Sequence, residues 1–264
     1  MQTRRGSWVA YLLLLLLLNL GWWKQLIIMP TSAAYANDGW KYAFATFYSE
    51  SDALGTMAGA CGFGDLYRQG YGVNTAALSS VLYNGGQACG ACFELRCVED
   101  PLYCHPGTSI VVTATNFCPP NYGLPGEDGG WCNPPRQHFV LPVTAFEKIA
   151  MWKIGTMNVQ YRRVRCAKVG GMRFAINGKD FFLTVLISNV AGDGAVSGVK
   201  VKGSKTGWLS MGTNWGQNWH VNADYRGQAL SFEVTTSDGK TVTSYNVAPS
   251  DWQFGHTYKG KQFS

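Results

Sequence analysis

The sequence predicts two β-rich domains in series, and three observations carry that prediction. All eight cysteines fall between Cys61 and Cys166, so composition divides the chain at Cys166. Both parts consist mostly of short β-branched and aromatic runs bounded by Gly, Pro, Asn and Asp, which is the pattern of strands. With 264 residues, 46% hydrophobic and 14% charged, the chain is long enough for two cores and too apolar to stay disordered.

Arg4 and Arg5 precede seven consecutive leucines, and Ala34-Tyr35-Ala36 follows. That order of basic, apolar and small residues predicts a secretory signal over residues 1–36, with an uncleaved anchor as the alternative and membrane association otherwise weak or transient. The net charge of +6 is spread along the chain and never interleaves a basic run with aromatics, so nucleic acid is a poor partner. In an oxidising compartment eight cysteines read as disulfides, although their connectivity stays open. Cys89-Gly-Ala-Cys92 with His105 and His138 is the zinc alternative, and disulfides are preferred; no metal or cofactor is expected.

The first domain is assigned to 37–166, a linker to 167–171 and the second domain to 172–264. Strands are expected from Ala43 through Thr46-Phe47-Tyr48, over Phe93–Cys97, over Ile110–Thr115 and over Met157–Cys166. Residues 74–83 read as a short helix or irregular segment. Val143, Phe146, Ile149 and Ala150 recur at helical spacing after Pro142, which predicts one helix. In the second domain strands are expected over Phe181–Ile187, Gly198–Lys202, Ala229–Thr236 and Thr241–Val247. Asn177-Gly178 and Asp238-Gly239 are hairpin signals, and a β-sandwich is the natural solution.

Thr115–Val140 organises the first domain. Its five prolines, with Gly129-Gly130, cannot propagate helix or interior strand. Cys118 and Cys132 near its ends favour an ordered loop closed by a bridge. A long ordered loop of this kind is usually functional, and it reads as the rim and floor of a binding groove.

Several motifs together resemble the plant expansins of the α type: Gly59-Ala60-Cys61-Gly62, Cys89-Gly-Ala-Cys92-Phe93-Glu94-Leu95, Ala114-Thr-Asn-Phe-Cys118-Pro-Pro-Asn121, Gly130-Trp-Cys-Asn-Pro-Pro135, His138-Phe139, Tyr161-Arg-Arg-Val-Arg-Cys166 and Trp215-Gly-Gln-Asn-Trp219. The insertion between Asn116 and His138 marks the α type. The resemblance implies a six-stranded double-psi β-barrel similar to family-45 endoglucanases, followed by an immunoglobulin-like sandwich. It implies a secreted, monomeric protein that loosens plant cell walls by disrupting contacts between cellulose and matrix glycans such as xyloglucan, without hydrolysis. It also implies the pairs Cys61–Cys89, Cys92–Cys166, Cys97–Cys104 and Cys118–Cys132.

By the same resemblance Thr46, Tyr48, Asn116 and His138 are groove candidates, and tyrosine suits a sugar because its ring stacks while its hydroxyl bonds. Phe182 and Trp215 are assigned to an aromatic platform on the second domain. Trp208 and Trp219 join them as candidates, with the sandwich core as their alternative. One departure stands out. The family usually has aspartate after His-Phe, matching the general acid of the related glycosidases, and this chain has Val140. Glu50, two residues after Tyr48, is the nearest replacement carboxylate. Inverting hydrolysis needs two carboxyls, so catalysis is not expected and no catalytic residue is assigned. The rival readings are an endoglucanase and a wall-binding relative whose loosening activity has lapsed.

Overall fold

The computed structural model describes residues 39–48, 59–126 and 128–264. The expected signal and Glu50 lie outside the described residues. Among those residues no helix is long and apolar enough to cross a membrane.

Six strands form a closed barrel: β1 (Lys41–Tyr48), β2 (Thr75–Leu78), β3 (Cys92–Cys97), β4 (Ile110–Phe117), β5 (His138–Pro142) and β6 (Met157–Val164). Their spatial order is β1-β5-β2-β4-β3-β6. The β1–β5 and β2–β4 pairs are parallel, and the others antiparallel. Closure removes sheet edges, and the interior is filled by alternating small and large residues such as Ala43, Ala45, Ala76, Ala114, Leu95, Phe139 and Leu141.

Two elements differ from the expectations. Thr75–Leu78 is a strand, although it offers neither alternation nor a run of β-branched residues; its four residues are buried between β4 and β5, where pairing on both sides outweighs propensity. The predicted helix is a single turn, α2 (Val143–Phe146), after the equally short α1 (Ser80–Tyr83). Phe146, Ile149 and Ala150 are buried as their spacing implies. The helix stops because the chain bonds elsewhere: the Ile149 carbonyl accepts from His105 N, and Met151 N donates to the Tyr103 carbonyl.

Nine strands build the sandwich. One sheet has the order β10 (Leu209–Ser210), β9 (Val196–Gly203), β13 (Leu230–Thr236), β14 (Thr241–Ala248). The other has β11 (Gly212–Trp215), β12 (Asn218–Asn222), β8 (Phe182–Ser188), β7 (Arg173–Lys179), β15 (His256–Lys259). Phe174 and Phe232 stack between the sheets at 4.7 Å. The Asp238-Gly239 signal does turn the chain between β13 and β14, with Gly239 at φ 81°. Asn177-Gly178 does not turn: Gly178 pairs with Leu183 inside the hairpin, and Asp180-Phe181 makes the turn with Asp180 at φ 52°. Aspartate tolerates this left-handed geometry, which moves the turn three residues on.

Disulfides join Cys61–Cys89, Cys92–Cys166, Cys97–Cys104 and Cys118–Cys132, leaving no thiolate for a metal. The barrel and sandwich meet along a tight seam. Cys61, Phe63, Leu66, Tyr71 and Cys89 pack on Leu186 of the five-stranded sheet. Gly90 and Gly194 touch backbone to backbone, and a β-carbon on either would overlap the other's carbonyl oxygen. Arg163 pairs with the wholly buried Asp193 at 3.2 Å, and Gln217 bonds to the carbonyls of both Cys61 and Cys89. The connection near 167–171 is held as well: Asn189 donates to the Val169 and Gly171 carbonyls.

Candidate functional site

Strand register assembles one side of the barrel. Thr46 is opposite Val140, Val140 opposite Ala77, and Ala77 opposite Asn116, so four adjacent strands each contribute one residue to a lateral row. The row faces outward because its neighbours Ala45, Ala76, Leu141 and Ala114 point into the core. Asn116 shares the parity of the inward-facing Val112 and Ala114. A break in the β2–β4 register at Ala76/Ala77 turns it to the outside. Ala77, the smallest of the four side chains, forms the floor between Asn116 and Val140. The Oδ1 of Asn116 accepts from Ala60 N and Phe117 N, both at 2.8 Å, which ties the 59–61 segment to the row.

His138 stands beside this row, on the outward parity of β5 but wholly buried. Its Nε2 is 2.8 Å from Thr46 Oγ1, and Trp131 stacks on its ring at 5.9 Å. Nδ1 has no hydrogen-bond partner among the described residues. Burial, reinforced by the Arg136 guanidinium, pulls the imidazole down to about 4, so the ring is neutral near pH 7. A neutral ring can take the Thr46 hydroxyl proton or give one, whereas a protonated ring can only donate. Tyr48 ends β1 opposite Pro142, half-buried.

Trp131 reaches His138 because its loop is ordered. Cys118–Cys132 closes it, and the Asn133 side-chain amide donates to the Asn121 and Leu124 carbonyls. Arg136 lies between two rings, 4.8 Å from Phe44 and 5.2 Å from Trp131, and donates to the Gly126 carbonyl at 3.0 Å.

A second surface lies on the outer face of the five-stranded sheet. Phe182 is opposite Asn222, and Trp215 opposite Asn218, so His220 falls between them on β12. The Phe182 and His220 rings are 5.7 Å apart. Gly212 opposes His220 and leaves room for its ring, since a β-carbon there would sit 2.9 Å from it. Phe182 is 41% exposed and Trp215 52% exposed. Trp215 also lies at the seam, where a β-carbon on Gly62 would meet its ring at 3.1 Å. Gly62 and Gly59 connect this corner to Asn116, so the barrel row and the aromatic face adjoin.

Two tryptophans depart from the platform assignment. Trp219 alternates with His220 on β12 and points into the sandwich core, where it is buried. Trp208 precedes β10 and packs near Tyr245 at 6.2 Å, on the four-stranded sheet. Neither can share a surface with Phe182 and Trp215.

Comparison with known proteins bears on what this arrangement is. Residues 172–249 match the model of the expansin C-terminal domain, and 75–161 match one described as lytic transglycolase. The chain is 59% identical over 236 residues to Expansin-A13 of Arabidopsis thaliana, covering 89% of both chains. It is 60% identical to Expansin-A10 of rice, covering 88% of this chain and 90% of the relative. The chain belongs to the expansin family, among the A-type members. An expansin of Clavibacter michiganensis shares the fold at a TM-score of 0.64 and 18% identity, covering 86% of this chain and 98% of that one. A single-residue variant of that protein was solved in complex with cellohexaose.

In this expansin the fold brings Thr46, His138 and Asn116 to one side of the barrel with Tyr48 at its end, and Phe182 with Trp215 to one face of the sandwich. Three participants escaped the sequence reading. Trp131 sits next to the bridging Cys132, a position that would fix a ring against the loop's base. His220 is half-buried and turned to the outer face by strand alternation with the buried Trp219. Ala77 carries no sequence signal at all, because its role is to be small.

Proposed function

We propose that this expansin acts outside the cell, in the plant wall, as a monomer that lays a cellulose or xyloglucan chain across the barrel row and onto the sandwich face, loosening non-covalent contacts without cleaving the chain. Expansins are in general non-hydrolytic wall proteins. The observation that carries the non-hydrolytic reading here is the row itself: Thr46, Val140, Ala77 and Asn116 include no carboxylate, and His138 is held neutral. Val140 stands where the family's aspartate is expected, and an apolar side chain can neither protonate a leaving group nor hold a sugar hydroxyl. Support for the second half of the track comes from Trp215, half-exposed where the two surfaces adjoin.

The deciding experiment is extension of heat-inactivated walls under constant load at acidic pH, with reducing-sugar release followed in parallel. Extension without sugar release is the expected outcome. Extension seen only with Val140→Asp would make this chain a wall-binding relative whose loosening has lapsed, and sugar release by the wild type would make it a glucanase.

Cellulose binding should depend on Trp215. Trp215→Ala is expected to cost about 2 kcal/mol, or roughly 30-fold in affinity, as truncating an interfacial aromatic anchor does. Trp219→Phe, a core change, should alter stability and leave affinity unchanged. A cellulose isotherm for Trp215→Ala that overlays the wild type would remove this residue from the binding face.

A further inference from the structure

The outward face of β1 continues past Thr46 to Phe44 and Tyr42, which alternate with the core residues Ala43 and Ala45. Four residues of strand separate Tyr42 from Thr46, about 13 Å at the usual rise. On the far side β6 adds Asn158 opposite Phe44 and Gln160 opposite Tyr42. Between them lies a cleft of about 600 Å³, lined by Tyr42, Phe44, Glu99, Pro135, Arg136 and Asn158.

The chemistry of this cleft is specific. Tyr42 is 63% exposed and presents an uncovered ring. Arg136 is fixed by its two flanking rings, and only one of its N–H donors is used on Gly126 among the bonds described above. Asn158 donates to Glu99 Oε2 at 3.0 Å and so positions the carboxylate, which retains further acceptor sites. An aromatic plate, a held donor and a held acceptor suit a ring with one apolar face and hydroxyls around its edge. A purely apolar ligand would leave Arg136 and Glu99 without replacement for lost water. An acidic glycan would face Glu99. The two opposite charges match a neutral one.

We propose that the cleft between Tyr42, Arg136 and Glu99 is an additional subsite for a neutral β-linked glucan chain, extending the groove beyond Thr46 along β1. The subsite rests on the glycan-groove reading given above. It makes the groove sensitive to chain length: a short oligosaccharide fills only the Thr46–Asn116 row, while a longer one also reaches Tyr42.

Calorimetric titration of the full chain with cellotriose and cellohexaose tests this. The wild type should bind cellohexaose more tightly, by about tenfold if Tyr42 adds one stacking contact. Tyr42→Ala should abolish that advantage and leave cellotriose binding unchanged, while Tyr42→Phe retains it. Tyr42→Ala with the full length advantage intact would overturn the subsite alone. Equal weakening of both ligands would show a structural effect and overturn it too. A wild type that binds neither ligand would overturn the groove reading, and the subsite with it.

Discussion

Replacing Gly194 by valine is expected to lower the unfolding free energy by about 4 kcal/mol. Two costs combine. Gly194 has φ 79°, where an L-residue pays about 1–2 kcal/mol. Its side chain would also be driven into the Gly90 carbonyl and the Cys166 sulfur, and overpacking of that kind costs about 1–3 kcal/mol. Gly227 separates the two terms, since it has φ 70° with nothing within 4 Å of an added β-carbon. Gly227→Val should therefore pay only the backbone term. Urea titrations of the two variants give the comparison. Equal losses would show that the seam yields to a side chain and that the Gly90–Gly194 contact is not tight.

Stability is next expected to fall in acid because of His138. Its folded pKa of about 4 lies below the unfolded value near 6.5, so the unfolded chain binds the proton first. The contribution is complete above pH 6.5 and is lost as pH drops from there to about 4. In full it amounts to about 3 kcal/mol, of which roughly 2 kcal/mol is gone by pH 5. His138→Gln keeps a polar partner for Thr46 and cannot titrate. The difference between wild-type and variant unfolding free energies should thus narrow or reverse between pH 7.5 and pH 5. A difference that stays constant across that range would mean the ring takes up its proton as readily in the folded chain as in the unfolded one.

Legibility of the fold followed the physics of each segment. β3, β6, β8, β13 and β14 could be read because burial on one face imposes alternation on the residues themselves. β2 could not, since Thr75–Leu78 is covered on both faces and stabilised by partners far along the chain. The 143–150 segment shows the limit of periodicity. Its apolar spacing reports which residues are buried, and only the competing bonds from residues 103–105 reveal that the helix ends after one turn.

The proposed binding surfaces were legible where chemistry selects a residue and obscure where geometry does. Thr46, His138 and Trp215 belong to motifs that resemblance could carry over. Ala77 and Gly212 contribute space, and the outward turn of Asn116 depends on a register break that no residue type announces. Tryptophan content could not separate Trp215 from Trp219, because alternation on β12 and the fold of β11 against it decide which ring faces out.

The seam between barrel and sandwich also sets how the two surfaces cooperate. With Gly90 against Gly194, Gln217 bonded across to Cys61 and Cys89, and Asp193 holding Arg163, the lobes behave as a bivalent ligand joined by a stiff spacer. On the proposed track, a glucan segment held by one lobe would be presented to the other at an effective concentration fixed by geometry, with no linker entropy to lose. Avidity of this kind is high for a straight chain whose length matches the span and vanishes for one that bends away. Crystalline and amorphous glucan should therefore differ in retention far more for the joined protein than for either lobe's contacts taken singly.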